Sequence, residues 1–207
     1  MKRVFYFSGY NITAFHWTGK EFAGKYTFFP TDEGMEEFSK YLDTIDSGTV
    51  RLLVNVIEED FIKENIPHVG KKDQQSIAKR FINRLYRKSG DYYTFKVIGR
   101  ESVGRKDDIV LYSVITNPGI FARWLELIQS KKTPLSGIWS LPLISESVLK
   151  QVTNEKGNVL LVSQQVPTNL RQSFFINGKF EISRNAVINP EEMSLGEYIN
   201  EEVEQTS

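Results

Sequence analysis

A chain of 207 residues, 40% of them apolar, is long enough to bury a real core as one large domain or two small ones. Its charges cancel, 26 basic against 26 acidic, so no whole-molecule field marks it as a nucleic-acid or membrane binder, and any such role needs a local patch. With no cysteine, a disulfide framework, thiolate catalysis and thiolate metal sites are all excluded.

The N-terminus lacks the basic start, apolar stretch and cleavage site of a secretory signal, and no apolar run approaches the ~20 residues of a membrane span. The expectation is a cytoplasmic protein without a direct membrane span.

Val4 to Phe7, Asn11 to Trp17 and Phe22 to Phe29 read as three strands of a meander, broken at Ser8-Gly9 and at Thr18-Gly19-Lys20. Asp32 is placed to cap a helix whose Met35, Phe38, Leu42 and Ile45 recur at helical spacing. After Gly48, the β-branched run Val50 to Ile57 reads as a buried strand, and Glu58, Glu59 and Asp60 as a surface turn. Three antiparallel strands, a crossover helix and a strand returning parallel to the first resemble the ribonuclease-H-like half of many α/β proteins.

Gln74 to Lys88 is the next expected helix, with Ile77, Phe81, Ile82 and Leu85 inward. Lys79, Arg80, Arg84, Arg87 and Lys88 give it a basic patch, read as a solvated face. Strands follow at Tyr92 to Ile98 and Ile109 to Thr116. The loop between them, GRESVGRK (Gly99 to Lys106), imitates a phosphate loop but leads into acids and a strand, so it reads as a hairpin loop.

Asn117 and Pro118 open a helix with Phe121, Trp124, Leu125 and Ile128 on its apolar side. A strand at Leu135 to Leu141 and a short helix at Ser145 to Val152 come next. Then a second meander runs through Asn158 to Val162, Leu170 to Ile176 and Lys179 to Ser183, turning at Asn177-Gly178. Ser194 and Glu197 spell a capping box for a last helix, which reaches Ser207 without a stop signal and reads as part of a longer protein.

Two meanders in one chain, with VLYSVITNPGIFARWLELIQSKKTPLSGIWSLPLI (Val110 to Ile144) and NVLLVSQQVPTNLRQSFFINGKFEISR (Asn158 to Arg184), resemble the actin-like ATPase superfamily. Within it the chain resembles the degenerate actin-like proteins of type IV pilus and type II secretion inner-membrane assembly platforms. The resemblance implies an α/β, ribonuclease-H-like (actin-like) mixed sheet with helices on both faces. A first lobe would cover 1–152, with an inserted α+β element around 68–116. A second lobe, only begun or truncated, would occupy 153–207.

Active members of that superfamily hold a metal-nucleotide between two hairpins, each with an Asp at its first strand's end and small residues in the turn. Matched to this sequence, the first hairpin is Phe7, Ser8 and Gly9, and the second is Ser163, Gln164 and Gln165. Neither supplies a carboxylate. These are therefore candidate degenerate nucleotide hairpins, and the expectation is no catalytic residue, no metal and no cofactor.

His16 and His68 have no triad-like or ligand-like spacing and read as structural or surface residues. Phe174 and Phe175 are adjacent in a strand, so one points outward. That ring, or the stripe Leu195, Tyr198 and Ile199, is the candidate partner-binding surface.

The implied function is a non-catalytic scaffold acting through protein-protein contacts in a bacterial pilus or secretion machine at the inner face of the inner membrane. It would bind a protein partner, or a second copy as a homo-oligomer, and no nucleic acid. A divergent ATPase or kinase of the same superfamily is the alternative, and a nucleic-acid-binding ribonuclease-H-like module the second.

Overall fold

Alternation of side chains sets the first sheet. Strands β1 (Lys2–Phe7), β2 (Ile12–Thr18) and β3 (Glu21–Phe28) pair antiparallel, with Phe5, Phe7, Ile12, Ala14 and Phe28 buried. Helix α1 (Asp32–Asp43) covers this sheet through Phe38 and Leu42, and the Phe38 ring lies edge-on to Phe5 at 5.4 Å and against Phe28 at 5.1 Å. Burial of each such ring stabilises the fold by about 1.5–3 kcal/mol. The cap of α1 is Thr31, whose side chain accepts from Gly34 N, one residue ahead of the expected Asp32. Asp32 and Glu33 instead occupy the first turn, where their charges complement the helix dipole.

Strand β4 (Val50–Val54) lies parallel to β1, as the order of elements implies. It ends at Val54, short of the expected Ile57: Asn55 N still donates a ladder bond to the Phe7 carbonyl at 2.9 Å, but the pairing goes no further and Ile57 is exposed.

The computed structural model describes residues 2–45, 48–86, 92–155, 157–166, 169–188 and 193–204. Its chain divides into two units, Met1–Ile57 with Ile128–Ser207, and Glu58–Leu127. The second unit is a three-stranded antiparallel sheet in the order β5-β7-β6, from β5 (Glu59–Ile66), β6 (Tyr93–Arg100) and β7 (Asp108–Ile115), under helix α2 (Lys71–Leu85).

Ala78 and Ile82 of α2 pack with Ile66, Val110, Tyr112 and Val114, while Ile77 and Phe81 are half-buried. Leu85, expected inward, is 49% exposed, since it falls in the last turn beyond the buried pair. Strand β5 replaces the surface turn expected at Glu58 to Asp60. Glu59 is only 5% exposed, and its carboxylate accepts from Ser113 Oγ of β7 at 2.7 Å. Polar composition concealed a strand that borrows its pairing from β7.

A 3-10 turn (Pro118–Phe121) leads into α3 (Ala122–Ser130), with Phe121, Trp124, Leu125 and Ile128 all buried. Asn117 makes no side-chain cap there. In the first unit, β8 (Leu135–Ser140) completes a five-stranded sheet in the order β3-β2-β1-β4-β8, pairing parallel to β4. Helix α4 (Leu141–Val152) starts four residues before the expected Ser145, because Ser140 caps it and Pro142 suits its first turn.

Strands β9 (Asn158–Val166), β10 (Asn169–Ile176) and β11 (Lys179–Val187) form a second antiparallel sheet that α4 packs against. Asn177 and Gly178, at φ +51° and +73°, make the left-handed turn that Asn-Gly favours. Helix α5 (Leu195–Glu204) carries the expected box: Glu197 N donates to Ser194 Oγ, and Ser194 N donates to Glu197 Oε2 at 3.0 Å.

Candidate functional site

The first hairpin closes on itself. Ser8 N donates to the Asn11 carbonyl, and Ser8 Oγ donates to Asn11 Oδ1 at 2.9 Å. Gly9, at φ +95°, permits the turn, and a Cβ there would approach the Asn55 carbonyl. Phe7, the residue at the expected Asp position, is 1% exposed, with β2 and β4 as its neighbours. Its ring belongs to the core.

In the second hairpin Ser163 lies directly across β10 from Arg171. The pairing register shifts between Asn169 and Leu170, so that Gln164 faces Leu170 and Gln165 falls in the bulge. The side chain of Gln165 lies outside the described residues.

Sequence reasoning missed the residues that join these hairpins. Arg171, 3% exposed, donates from Nε to Asn55 Oδ1 at 2.7 Å, from Nη2 to the Val56 carbonyl at 2.6 Å and from Nη1 to Ser183 Oγ at 3.3 Å. Asn55, 4% exposed, passes its own Nδ2 hydrogen to the Tyr6 hydroxyl at 3.2 Å. Ser183 Oγ donates to the Gln172 carbonyl, so the Ser173 hydroxyl must donate in the 3.0 Å contact with Ser183. Burial raises the Tyr6 phenol above its ordinary pKa, opposed by the Asn55 hydrogen bond and the Arg171 charge.

One guanidinium thus ties the C-terminal end of β4 to the start of β10, beside both hairpins. It brings a fixed positive charge, bonded to Asn55, Val56 and Ser183, to the place where the resemblance implies a metal-nucleotide. A magnesium clamp needs carboxylates, and Phe7 and Ser163 supply a ring and a hydroxyl. Among the described residues there is no group of three or more His, Asp or Glu side chains that could hold a metal ion. The residues present do not fit a magnesium-nucleotide. The visible signals were a polar Asn closing an apolar strand and an Arg in the middle of another, neither of which names its partner.

The remaining candidates separate. Phe175 is buried and meets Phe180 edge-on at 5.8 Å, whereas Phe174 is half-buried on the opposite face, across from Leu160 and Ile182. Tyr198 donates its hydroxyl to the Val187 carbonyl, tying α5 to β11, and Ile199 is half-buried. The side chain of Leu195 lies outside the described residues. Lys79, Arg80 and Arg84 are exposed but do not form one stripe: Lys79 borders the β6 flank of α2, and Arg80 and Arg84 the β5 flank. Arg87 and Lys88 lie outside the described residues.

The GRESVGRK segment begins inside β6, at Gly99 and Arg100, and continues as the connection to β7, with Arg105 forked onto Asp107 by two 2.7 Å bonds. His68, expected as a structural or surface residue, has Nδ1 at 2.9 Å from the buried Asp108 carboxylate, which also accepts from Gln74 Nε2. The pairing is tertiary, so spacing could not reveal it. His16 stacks on Tyr26 at 5.7 Å.

No protein-family model and no curated protein matches the sequence. The structure is that of the actin-like ATPase fold, an α/β mixed sheet with its meander, crossover helix and parallel return. Among solved structures, the chain is similar over 92% of its length to the PilM-PilN type IV pilus biogenesis complex, with TM-score 0.66 and 7% identity. It spans 62% of that chain.

A second similar structure is the cytoplasmic domain of EpsL, an inner-membrane component of the type II secretion system of Vibrio cholerae. It matches at TM-score 0.52 and 13% identity, with 89% of this chain and 70% of that one covered. A third, from Bacteroides thetaiotaomicron, has an actin-like ATPase fold and unknown function, at TM-score 0.52 and 9% identity over 98% of this chain and 77% of that one. At such identities the likeness is one of fold. No helix among the described residues is long and apolar enough to cross a membrane.

Proposed function

We propose that this chain is a non-catalytic actin-like scaffold that holds protein partners in a bacterial membrane-associated pilus or secretion machine. The observation carrying the reading is the Arg171 tie. A buried guanidinium bonded to Asn55 and Val56 joins the β4 and β10 ends beside two hairpins that lack carboxylates. Phosphoryl transfer depends on metal and electrostatic clamping of the phosphates, and those two positions offer no carboxylate to hold the metal or act as a base.

The pilus and secretion context is supported by the fold likeness to a PilM-PilN complex and to the cytoplasmic domain of EpsL. On this reading the protein works on the cytoplasmic side of the inner membrane, contacts it through partners, and has no nucleic-acid substrate.

Calorimetric titration of the protein with ATP and magnesium tests the non-catalytic claim. The expected result is no saturable heat and no phosphate release. Saturable binding with turnover, abolished by changes at Gly9 and Ser163, would establish the divergent ATPase instead.

A further inference from the structure

Helix α2 presents two different flanks. Toward β5, residues 77, 80, 81 and 84 follow one another at helical spacing. With Glu64, Asn65, Ile66 and Pro67 they line an open groove of about 430 Å³. Its floor is apolar, from Ile66, Pro67, Ile77 and Phe81, and its helical rim carries Arg80 and Arg84.

Two guanidinium groups one turn apart repel each other, and no carboxylate among the described residues pairs with either. Arg80 Nε only caps the Ser76 carbonyl at 3.3 Å, and Arg84 lies over the Phe81 ring at 5.6 Å. Glu64 borders the same groove without closing an ion pair. Next to this rim, β5 is an edge strand that pairs with β7 alone among the described residues, so one row of its backbone groups has no strand partner.

We infer that this groove is a docking site for an extended acidic protein segment, which adds as a strand beside β5, seats an aliphatic side chain on the apolar floor beside Ile77 and Pro67, and places carboxylates against Arg80 and Arg84. Each part of the surface matches one part of that ligand. The free strand edge supplies main-chain hydrogen bonds, the apolar floor takes the anchor, and the paired guanidinium groups take carboxylates in fork geometry.

Side chains on one face of an added strand recur every second residue, so the recognised pattern is acid, apolar, acid at alternate positions. A nucleic-acid strand fits less well. Phe81 is half-buried beneath Arg84 and offers no open stacking face, and a nucleic-acid backbone would leave the apolar floor uncovered. The inference concerns the second unit alone and stands whether or not the nucleotide hairpins are inert.

The test is a titration of the full chain with a fluorescein-labelled peptide carrying glutamate, leucine and glutamate at alternate positions among serines. Anisotropy reports affinity, and amide chemical-shift mapping reports place. The expected result is saturable binding with shifts concentrated in 62–67 and 77–84. Arg80→Gln with Arg84→Gln should weaken it about tenfold or more, as loss of charge-assisted hydrogen bonds implies. Lys79→Gln, on the opposite flank, should leave it unchanged, and a glutamine-for-glutamate peptide should bind at least about tenfold more weakly.

Absence of saturable binding, shifts centred elsewhere, or equal losses for Lys79→Gln would overturn the inference. So would tighter, Arg80- and Arg84-dependent binding of a single-stranded oligonucleotide or of phosphatidylserine vesicles.

Discussion

Replacing Arg171 by methionine tests the central tie directly. Methionine has a similar reach and fits the strand, so the loss is confined to the guanidinium and its bonds. The side chain now donates to Asn55 Oδ1, the Val56 carbonyl and Ser183 Oγ. Replacing a whole buried ion pair by apolar groups can be neutral, but here only one partner goes and two buried acceptors stay behind unpaired.

Each orphaned acceptor costs about 1–3 kcal/mol, and breaking a buried charged network of this kind costs about 3–5 kcal/mol in all. Arg171→Lys keeps the charge but lacks the fork, so its expected cost is smaller, about 1–3 kcal/mol. Urea unfolding gives the total, and hydrogen-exchange mass spectrometry gives the place: protection should fall first in 50–56 and 169–176. In a double-mutant cycle, Arg171→Met and Asn55→Ala should couple by at least about 1 kcal/mol. Additivity within about 0.5 kcal/mol, or a methionine variant as stable as the parent, would refute the reasoning.

Two further outcomes separate core from surface. Burial first, then the 2.7 Å hydrogen bond to Asp60 and that carboxylate's charge, push the Tyr86 phenol up to about 12. Because the folded state holds this proton more tightly than the unfolded chain, its contribution is complete below about pH 10 and fades as pH rises through about 12. Burial also raises Tyr6, Tyr41 and Tyr112, so spectrophotometric tyrosine titration should show several late phenols, and Tyr86→Phe should reduce that late amplitude by one; a Tyr86 that ionises with the free phenols contradicts the Asp60 contact. Phe175→Ala should cost about 3–5 kcal/mol, because it empties a fully buried site against Phe180, whereas Phe174→Ser should cost less than about 1.5 kcal/mol. Urea midpoints read both, and equal costs would mean that the two faces of β10 are not distinguished as described.

The legible parts of this fold are those whose cause is local. Phe38 and Leu42 announce a helix face by spacing, Asn177-Gly178 announces a turn because few other pairs adopt positive φ, and Ser194 with Glu197 closes a box within one turn. Strand β5 was illegible for the opposite reason. EEDFIKENI is polar enough to pass for a turn, and only pairing with the apolar β7 makes it a strand. The surface turn expected at Glu58 to Asp60 is therefore the start of a strand in which Glu59 is a buried acid.

The candidate site divides along the same line. What is missing from the two hairpins could be read from the sequence, since a position either holds a carboxylate or does not. What stands beside them could not. Arg171 and Asn55 are 116 residues apart, and each alone is an ordinary polar residue in a strand context. A buried guanidinium is stable only where several acceptors converge, and convergence is a property of the folded sheets. This gives the degenerate reading a physical basis beyond absent acids. Here a buried cation bonds the β4 and β10 ends together. Restoring acids at positions 7 and 163 alone should therefore not restore a nucleotide site, because Arg171 would still hold the strand ends and a carboxylate at 7 would be forced into the core. Calorimetry of a Phe7→Asp, Ser163→Asp variant with ATP and magnesium measures this, and saturable nucleotide binding by that variant would show that the tie does not by itself keep nucleotide out.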